Sequence, residues 1–203
     1  MPGRLFIDAP LADAAREAGV PAPPAAEPRL DISPGEPLWT LTVDGFREMR
    51  WGLIPSGRTN ARGRPVLETL INARSETVFD KSAFAGLKRA VVPINGWYEW
   101  TGPPRRKTRW ALRDRDGGWL WCAAVWDEWQ APGGTRVAQL ATLTCAPNAE
   151  VAPIHDRMGV MLSAEAIRTW LRGDEPEARA LCTPLPDGRV AVSETPAPDT
   201  ARG

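Results

Sequence analysis

WTLTVDGFREMRW, residues 39–51, is the stretch that decides the architecture. Two runs rich in aromatic and β-branched residues, Trp39–Val43 and Phe46–Trp51, flank Asp44-Gly45. An Asp-Gly pair between such runs predicts an antiparallel hairpin, because both residues tolerate the positive φ that a two-residue turn requires. The same alternation recurs outward in both directions. MPGRLFI at the start reads as a short strand, Val91–Trp100 as a strand interrupted by an Asn95-Gly96 turn, and Val137–Cys145 and Val160–Leu162 as further strands. Arg109–Arg113 and Trp119–Val125 flank DRDGG and predict a second hairpin.

Helical signals are few. Pro10–Ala18 is a short helix with proline at its start and Gly19 placed to end it. Pro65–Arg74 reads as a short helix leading into INARSETV, and Ser163–Arg172 as a helix with Ser163 as cap and Gly173 as stop. Glu175–Leu181 adds one more helical piece, and Val20–Pro28 is a proline–alanine loop. Many short strands with a few helices predict an α+β domain around a curved, antiparallel, barrel-like sheet. The 203 residues suit one domain, which buries about 70% of its unfolded surface. It is expected over residues 1–193, with 194–203 as a flexible tail.

Composition narrows the function classes. Twenty-five basic and 25 acidic residues cancel, which argues against a uniformly basic nucleic-acid binder but not against a local basic groove. The sequence has no apolar run long enough to span a membrane and no leader pattern, so a cytoplasmic protein is expected. Three cysteines (Cys122, Cys145, Cys182) without CxxC spacing, and a single histidine, argue against a disulfide framework and a metal site. No cofactor motif of the GxxxxGK[ST], GxGxxG or HExxH type is present, so no cofactor is expected.

Some polar residues sit within or beside apolar segments. Glu99 stands between aromatic residues at the end of an apolar run: it is either a desolvated general acid/base or a strand-end glutamate facing water. Asn72 and Arg74 are two apart and face one way in a strand, which suits an anionic ligand or solvent equally. His155, followed by Asp156-Arg157, is either a reactive imidazole or a structural one. Trp51, before Gly52, is either a platform for an unpaired base or a core tryptophan.

Taken in order, MPGR, RWGLIP, INARSET, VVPINGWYEW and IHDRM resemble the SRAP family (SOS response-associated peptidases, or abasic-site processing proteins) over nearly the whole chain. The resemblance implies a barrel-like α+β domain with a positively charged groove for single-stranded DNA containing abasic sites, active in the DNA-damage (SOS) response. Family members carry a cysteine directly after the initiator methionine, whose amine and thiol capture the abasic-site aldehyde as a thiazolidine crosslink. The same cysteine underlies the family's first description as thiol autopeptidases. By resemblance Asn72, Glu99 and His155 serve catalysis, while Gly3, Arg4, Trp51, Arg74 and Arg157 meet the DNA, and the protein is expected to be monomeric.

Position two departs from the pattern: it is Pro2, and no cysteine lies near it in sequence. Thiazolidine closure and thiol autoproteolysis are therefore unavailable to it. Ala90 and Gly159 are smaller departures, at positions where the family commonly has a cysteine and a proline. After removal of Met1, Pro2 would present a secondary amine able to form an iminium with an aldehyde. The resemblance thus leaves three readings: a covalent abasic-site enzyme acting through Pro2, a paralogue that binds single-stranded or abasic DNA without chemistry, and a relative in fold alone.

Overall fold

In the computed structural model of the chain, residues 3–24, 27–55, 62, 68–131 and 133–196 are described. The first strand, β1 (Leu5–Ile7), is followed by α1 (Leu11–Glu17), β2 (Arg29–Ile32), β3 (Pro37–Thr42), β4 (Gly45–Trp51) and β5 (Asn72–Arg74). A 3-10 turn over Ser82–Phe84 precedes β6 (Lys88–Ile94), β7 (Gly96–Thr101), β8 (Thr108–Asp114), β9 (Leu120–Gln130) and β10 (Arg136–Cys145). Two short strands, β11 (Met158–Gly159) and β12 (Met161–Leu162), lead to α2 (Ala166–Arg172), α3 (Glu175–Ala180) and the closing strand β13 (Val190–Glu194).

The larger sheet closes on itself. Strand β10 pairs with β4, β4 with β3, β3 with β6, β6 with β9, and β9 again with β10. A ring of five strands cannot be antiparallel at every step, and the β10–β4 step is indeed parallel. Strand β5 also joins β10 in parallel. The barrel expected from the sequence is therefore present but mixed, not wholly antiparallel. A second sheet, in the order β13-β8-β7-β1-β2, carries the start of the chain.

The hairpin of residues 39–51 forms one residue earlier than the Asp-Gly pair suggests. Thr42 pairs with Gly45, so Val43-Asp44 make the turn. The Thr42 hydroxyl holds it by donating to the Gly45 carbonyl and accepting from the Asp44 amide. Gly45 is needed at the exit, where φ is +107°.

Other expectations change more. DRDGG does not close a hairpin: β8 pairs with β7 and β13, and β9 with β6, β10 and β12, so residues 114–118 carry the chain from one sheet to the other. Both edges of each strand are already taken, and a β8–β9 ladder has no place. The helix expected over Pro65–Arg74 is absent from residues 68–74, where Asn72–Arg74 is a strand; residues 65–67 lie outside the described set. Ser163 does not cap α2, which starts after Glu165, whereas Gly173 ends it as expected. The tail expected at 194–203 begins inside β13, and residues 197–203 lie outside the described set.

Tryptophan fills the core. Trp51, Trp97, Trp121 and Trp170 are fully buried, and three of them place the indole N–H on an acceptor: Ile71 O, Glu17 Oε1 and Ala90 O respectively for Trp51, Trp121 and Trp170. A large ring buried with its one polar atom satisfied gives the apolar contact at little desolvation cost. No helix among the described residues is long and apolar enough to cross a membrane.

Candidate functional site

The site is built where the start of the chain meets β7. Leu5 pairs with Trp97 and Phe6 with Gly96. The Tyr98 amide continues the ladder by donating to the Arg4 carbonyl at 2.9 Å, so the register brings Gly3 level with Glu99. Gly96 makes this approach possible. A Cβ there would collide with the Phe6 ring and the Leu112 carbonyl. At the end of β1, the Asn95 side chain accepts from the amides of Asp8 (2.9 Å) and Ala9 (3.1 Å), pinning the strand where β6 gives way to β7.

Strand alternation then decides the direction of Glu99. Trp97 and Glu99 point to the same, inner side, and Tyr98 and Trp100 to the outer one. Glu99 is only 4% exposed, so the water-facing reading of this residue is overturned. Burial pushes its carboxyl above the ordinary glutamate range, with the charge of His155 working the other way. A carboxyl of this kind holds a proton at neutral pH that an exposed glutamate has lost.

His155 lies on the loop after β10 at a branch point. Its Nδ1 is 3.0 Å from the Arg157 amide and 2.8 Å from Asp156 Oδ1. The two contacts demand different states of the ring. The amide bonds a bare Nδ1, leaving the proton on Nε2; the carboxylate bonds a protonated Nδ1.

Asn72 and Arg74 flank the buried Ala73 on β5 and share an open cleft of about 610 Å³ with Thr77, Lys81 and Ser82. The Thr142 hydroxyl, from the strand partner of Asn72, donates to Asn72 Oδ1 and so fixes which end of the amide is which. Arg74 is exposed at the rim. Its basic neighbour Lys81 was not apparent as a site residue from sequence, since an exposed lysine carries no signal by itself.

Two expected DNA contacts stand elsewhere. Trp51 is completely buried, with its N–H on the Ile71 carbonyl, and a ring without exposed surface offers no face to a base. It supports the segment leading into Asn72 instead. Arg157 is bound in a fork to both oxygens of Glu76, at 2.5 and 2.7 Å, and also donates to the Thr144 carbonyl at 2.6 Å. Its side chain is 14% exposed, and its hydrogen bonds are directed inward. The Arg157 guanidinium beside Glu76 holds that carboxyl below its ordinary range. Arg4 is paired with Asp31 at 2.9 Å. Met1 and Pro2 lie outside the described residues.

The three cysteines are free thiols. Burial pushes Cys122 and Cys145 up to about 12 and Cys182 up to about 11, where the nucleophilic thiolate is negligible. Among the described residues no group of three or more His, Cys, Asp or Glu is arranged to hold a metal ion.

A mixed five-stranded barrel flanked by a second sheet, with a buried acid, an imidazole and an oriented amide reached from the start of the chain, defines a class of α+β proteins whose chemistry centres on the first residues. The chain belongs to the SOS response associated peptidase (SRAP) family, whose pattern matches residues 1–196. It is 30% identical over 152 residues to the abasic site processing protein YoqW of Bacillus subtilis, covering 71% of this chain and 66% of that protein. It is 32% identical over 148 residues to the abasic site processing protein HMCES of Gallus gallus, covering 61% of this chain and 44% of that one. The match thus spans less than two thirds of either relative. Solved structures of a Bacteroides thetaiotaomicron protein (TM-score 0.82, 20% identity, covering 95% of this chain and 91% of that one) and a Bordetella bronchiseptica protein (TM-score 0.80, 21% identity, covering 97% and 100%) have the same fold.

Proposed function

We propose that this protein processes abasic sites in single-stranded DNA during the DNA-damage response, through the amine of Pro2 once Met1 has been removed. The observation that supports this most directly is the β1–β7 register, which aims the start of the chain at the buried Glu99. The names of the relatives supply the substrate class.

An abasic sugar is mostly a closed hemiacetal. The proton that burial keeps on Glu99 is available to the ring oxygen as the sugar opens to its aldehyde. The Pro2 nitrogen then attacks C1′, its proton passes to the carbonyl oxygen by way of Glu99 or His155, and loss of water leaves an iminium cation. A primary amine and thiol would go on to a thiazolidine, but a secondary amine with no thiol cannot. The iminium has two exits: water adds back and regenerates amine and aldehyde, or a C2′ proton is removed and the C3′–O bond breaks, with the 3′ phosphate leaving as the anion. In this reading Asn72 orients the sugar, and Arg74 with Lys81 holds the strand.

Two measurements test the reading together. Intact mass shows whether Met1 is absent. Borohydride reduction with an abasic single-stranded oligonucleotide should then yield a covalent complex through residue 2. No trapped complex with Met1-free protein would sink the covalent mechanism. Salt-dependent strand binding without trapping, indifferent to Met1, would point instead to a non-covalent binder of single-stranded or abasic DNA.

A further inference from the structure

We infer that Arg157 is a positioning residue that sets the state of His155, and that Glu76 is its working partner. The inference deepens the site proposed above and rests on that reading only for its consequence in catalysis.

The geometry runs through three elements. Glu76 follows β5, the strand that carries Asn72 and Arg74. Thr144 lies on β10, two residues beyond the partner of Asn72. Arg157 reaches both, with two nitrogens on the Glu76 carboxylate and one also on the Thr144 carbonyl. A guanidinium held in a fork by a carboxylate and by a backbone carbonyl has its position fixed in three dimensions. The backbone of residue 157 is fixed with it, and the amide of that backbone donates to His155 Nδ1 at 3.0 Å.

That amide has a competitor. Asp156 Oδ1 sits 2.8 Å from the same nitrogen, on a side chain that is 85% exposed. With the amide in place, the neutral ring keeps its proton on Nε2 and leaves Nδ1 bare. If residue 157 shifts, Nδ1 loses its donor and the proton is better placed there, on Asp156. The charged groups that bear on the ring are Asp156 and Arg157 on its own loop, Glu99 from β7, and Glu76 through Arg157. Only the Glu76–Arg157 pair ties the ring to the strand of Asn72. In the site, a ring with Nε2–H is a donor toward the sugar or the carbinolamine oxygen; the other tautomer reverses that role.

His155 is the sole histidine, so one imidazole signal reports the effect without ambiguity. The experiment is nitrogen NMR of the 15N-histidine-labelled full chain, without DNA, for the wild type, Glu76→Gln, Arg157→Lys and Arg157→Gln. The expected result is a wild-type neutral ring dominated by Nε2–H, with each variant moving population toward Nδ1–H. Glu76→Gln removes the fork from the exposed end of the pair and keeps the test open should Arg157→Gln fail to fold. Unchanged tautomer populations in Glu76→Gln and Arg157→Lys would overturn the inference. A second arm measures the salt dependence of binding to a single-stranded oligonucleotide. Arg157→Lys or Arg157→Gln should leave the slope unchanged, whereas loss of a phosphate contact would lower it by about 0.7. A lowered slope with unchanged tautomers would make Arg157 a DNA ligand and end the proposal. Failure of the wild type to trap abasic DNA would remove the functional reading and leave the tautomer result standing.

Discussion

The Tyr98 amide donates to the Arg4 carbonyl at 2.9 Å, past the last paired residues of β1 and β7. Those two residues connect the terminus to the acid. Each further step of an antiparallel ladder is fixed by the one before it, so Gly3 comes level with Glu99 without any side chain having to recruit it. The reactive residue of such a protein is placed by main-chain hydrogen bonds, which do not depend on the identity of residue 2. Replacement of the family's cysteine by proline therefore changes the nucleophile and leaves the approach intact.

Glu99→Gln tests the acid. The amide is nearly isosteric and cannot exchange a proton, so borohydride trapping should slow by roughly 10²–10⁴, the range of general acid–base contributions. Stability should respond oppositely. The folded carboxyl is raised by burial, so the folded state holds more protons than the unfolded one as pH rises between their two midpoints. Stability then falls with rising pH. Urea titrations over pH 4–8 should show this decline in the wild type and a flatter profile in Glu99→Gln. A variant that traps at the wild-type rate would remove Glu99 from the proton path.

Thr142→Val tests the orientation of Asn72. Thr142 donates to Asn72 Oδ1 from the neighbouring strand. Valine keeps the shape and removes the donor, at a cost of about 1–3 kcal/mol for the oxygen left behind. Trapping should fall by about tenfold, and strand binding should keep its salt slope. Equal loss in binding and trapping would mean that Thr142 supports the whole cleft and not the amide alone.

Gly96→Ala tests the approach of β1 to β7. The added methyl collides with the Phe6 ring and the Leu112 carbonyl, and only displacement of β1 relieves it. Urea unfolding should show a loss of about 1–3 kcal/mol, typical of overpacking. Trapping, measured at a temperature where the variant is folded, should fall further than this stability loss explains, because the ladder delivering residue 2 has moved.

Much of this was legible in the sequence because the signals are local. Alternating apolar residues, Asp44-Gly45 and Asn95-Gly96 fix strands and bends through near neighbours, and INARSET, WYEW and IHDRM mark Asn72, Glu99 and His155. Long-range contacts decide what was not legible. Asn72–Arg74 is a strand because β10, some seventy residues away, offers its edge. DRDGG fails as a hairpin because the partners of β8 and β9 lie elsewhere. Arg157 looks like a free cation until Glu76, 81 residues earlier, is found against it, and Trp51 looks like a platform until the sheet closes over it.

Arg74→Gln separates strand affinity from chemistry. Arg74 is exposed at the mouth of the cleft it shares with Asn72 and Lys81. A guanidinium placed there suits a phosphate on either side of an abasic sugar. Each phosphate neutralised on a single strand releases counterions that contribute about 0.7 to the slope of log affinity against log salt. The variant should therefore bind a single-stranded oligonucleotide more weakly at 50 mM salt, with a slope lower by about 0.7 and little difference from the wild type at high salt. Trapping at saturating DNA should change by less than about threefold, because neither Glu99 nor His155 is touched. If the slope holds and saturated trapping collapses, Arg74 acts on the reacting sugar, and strand binding must be carried by other cations such as Lys81.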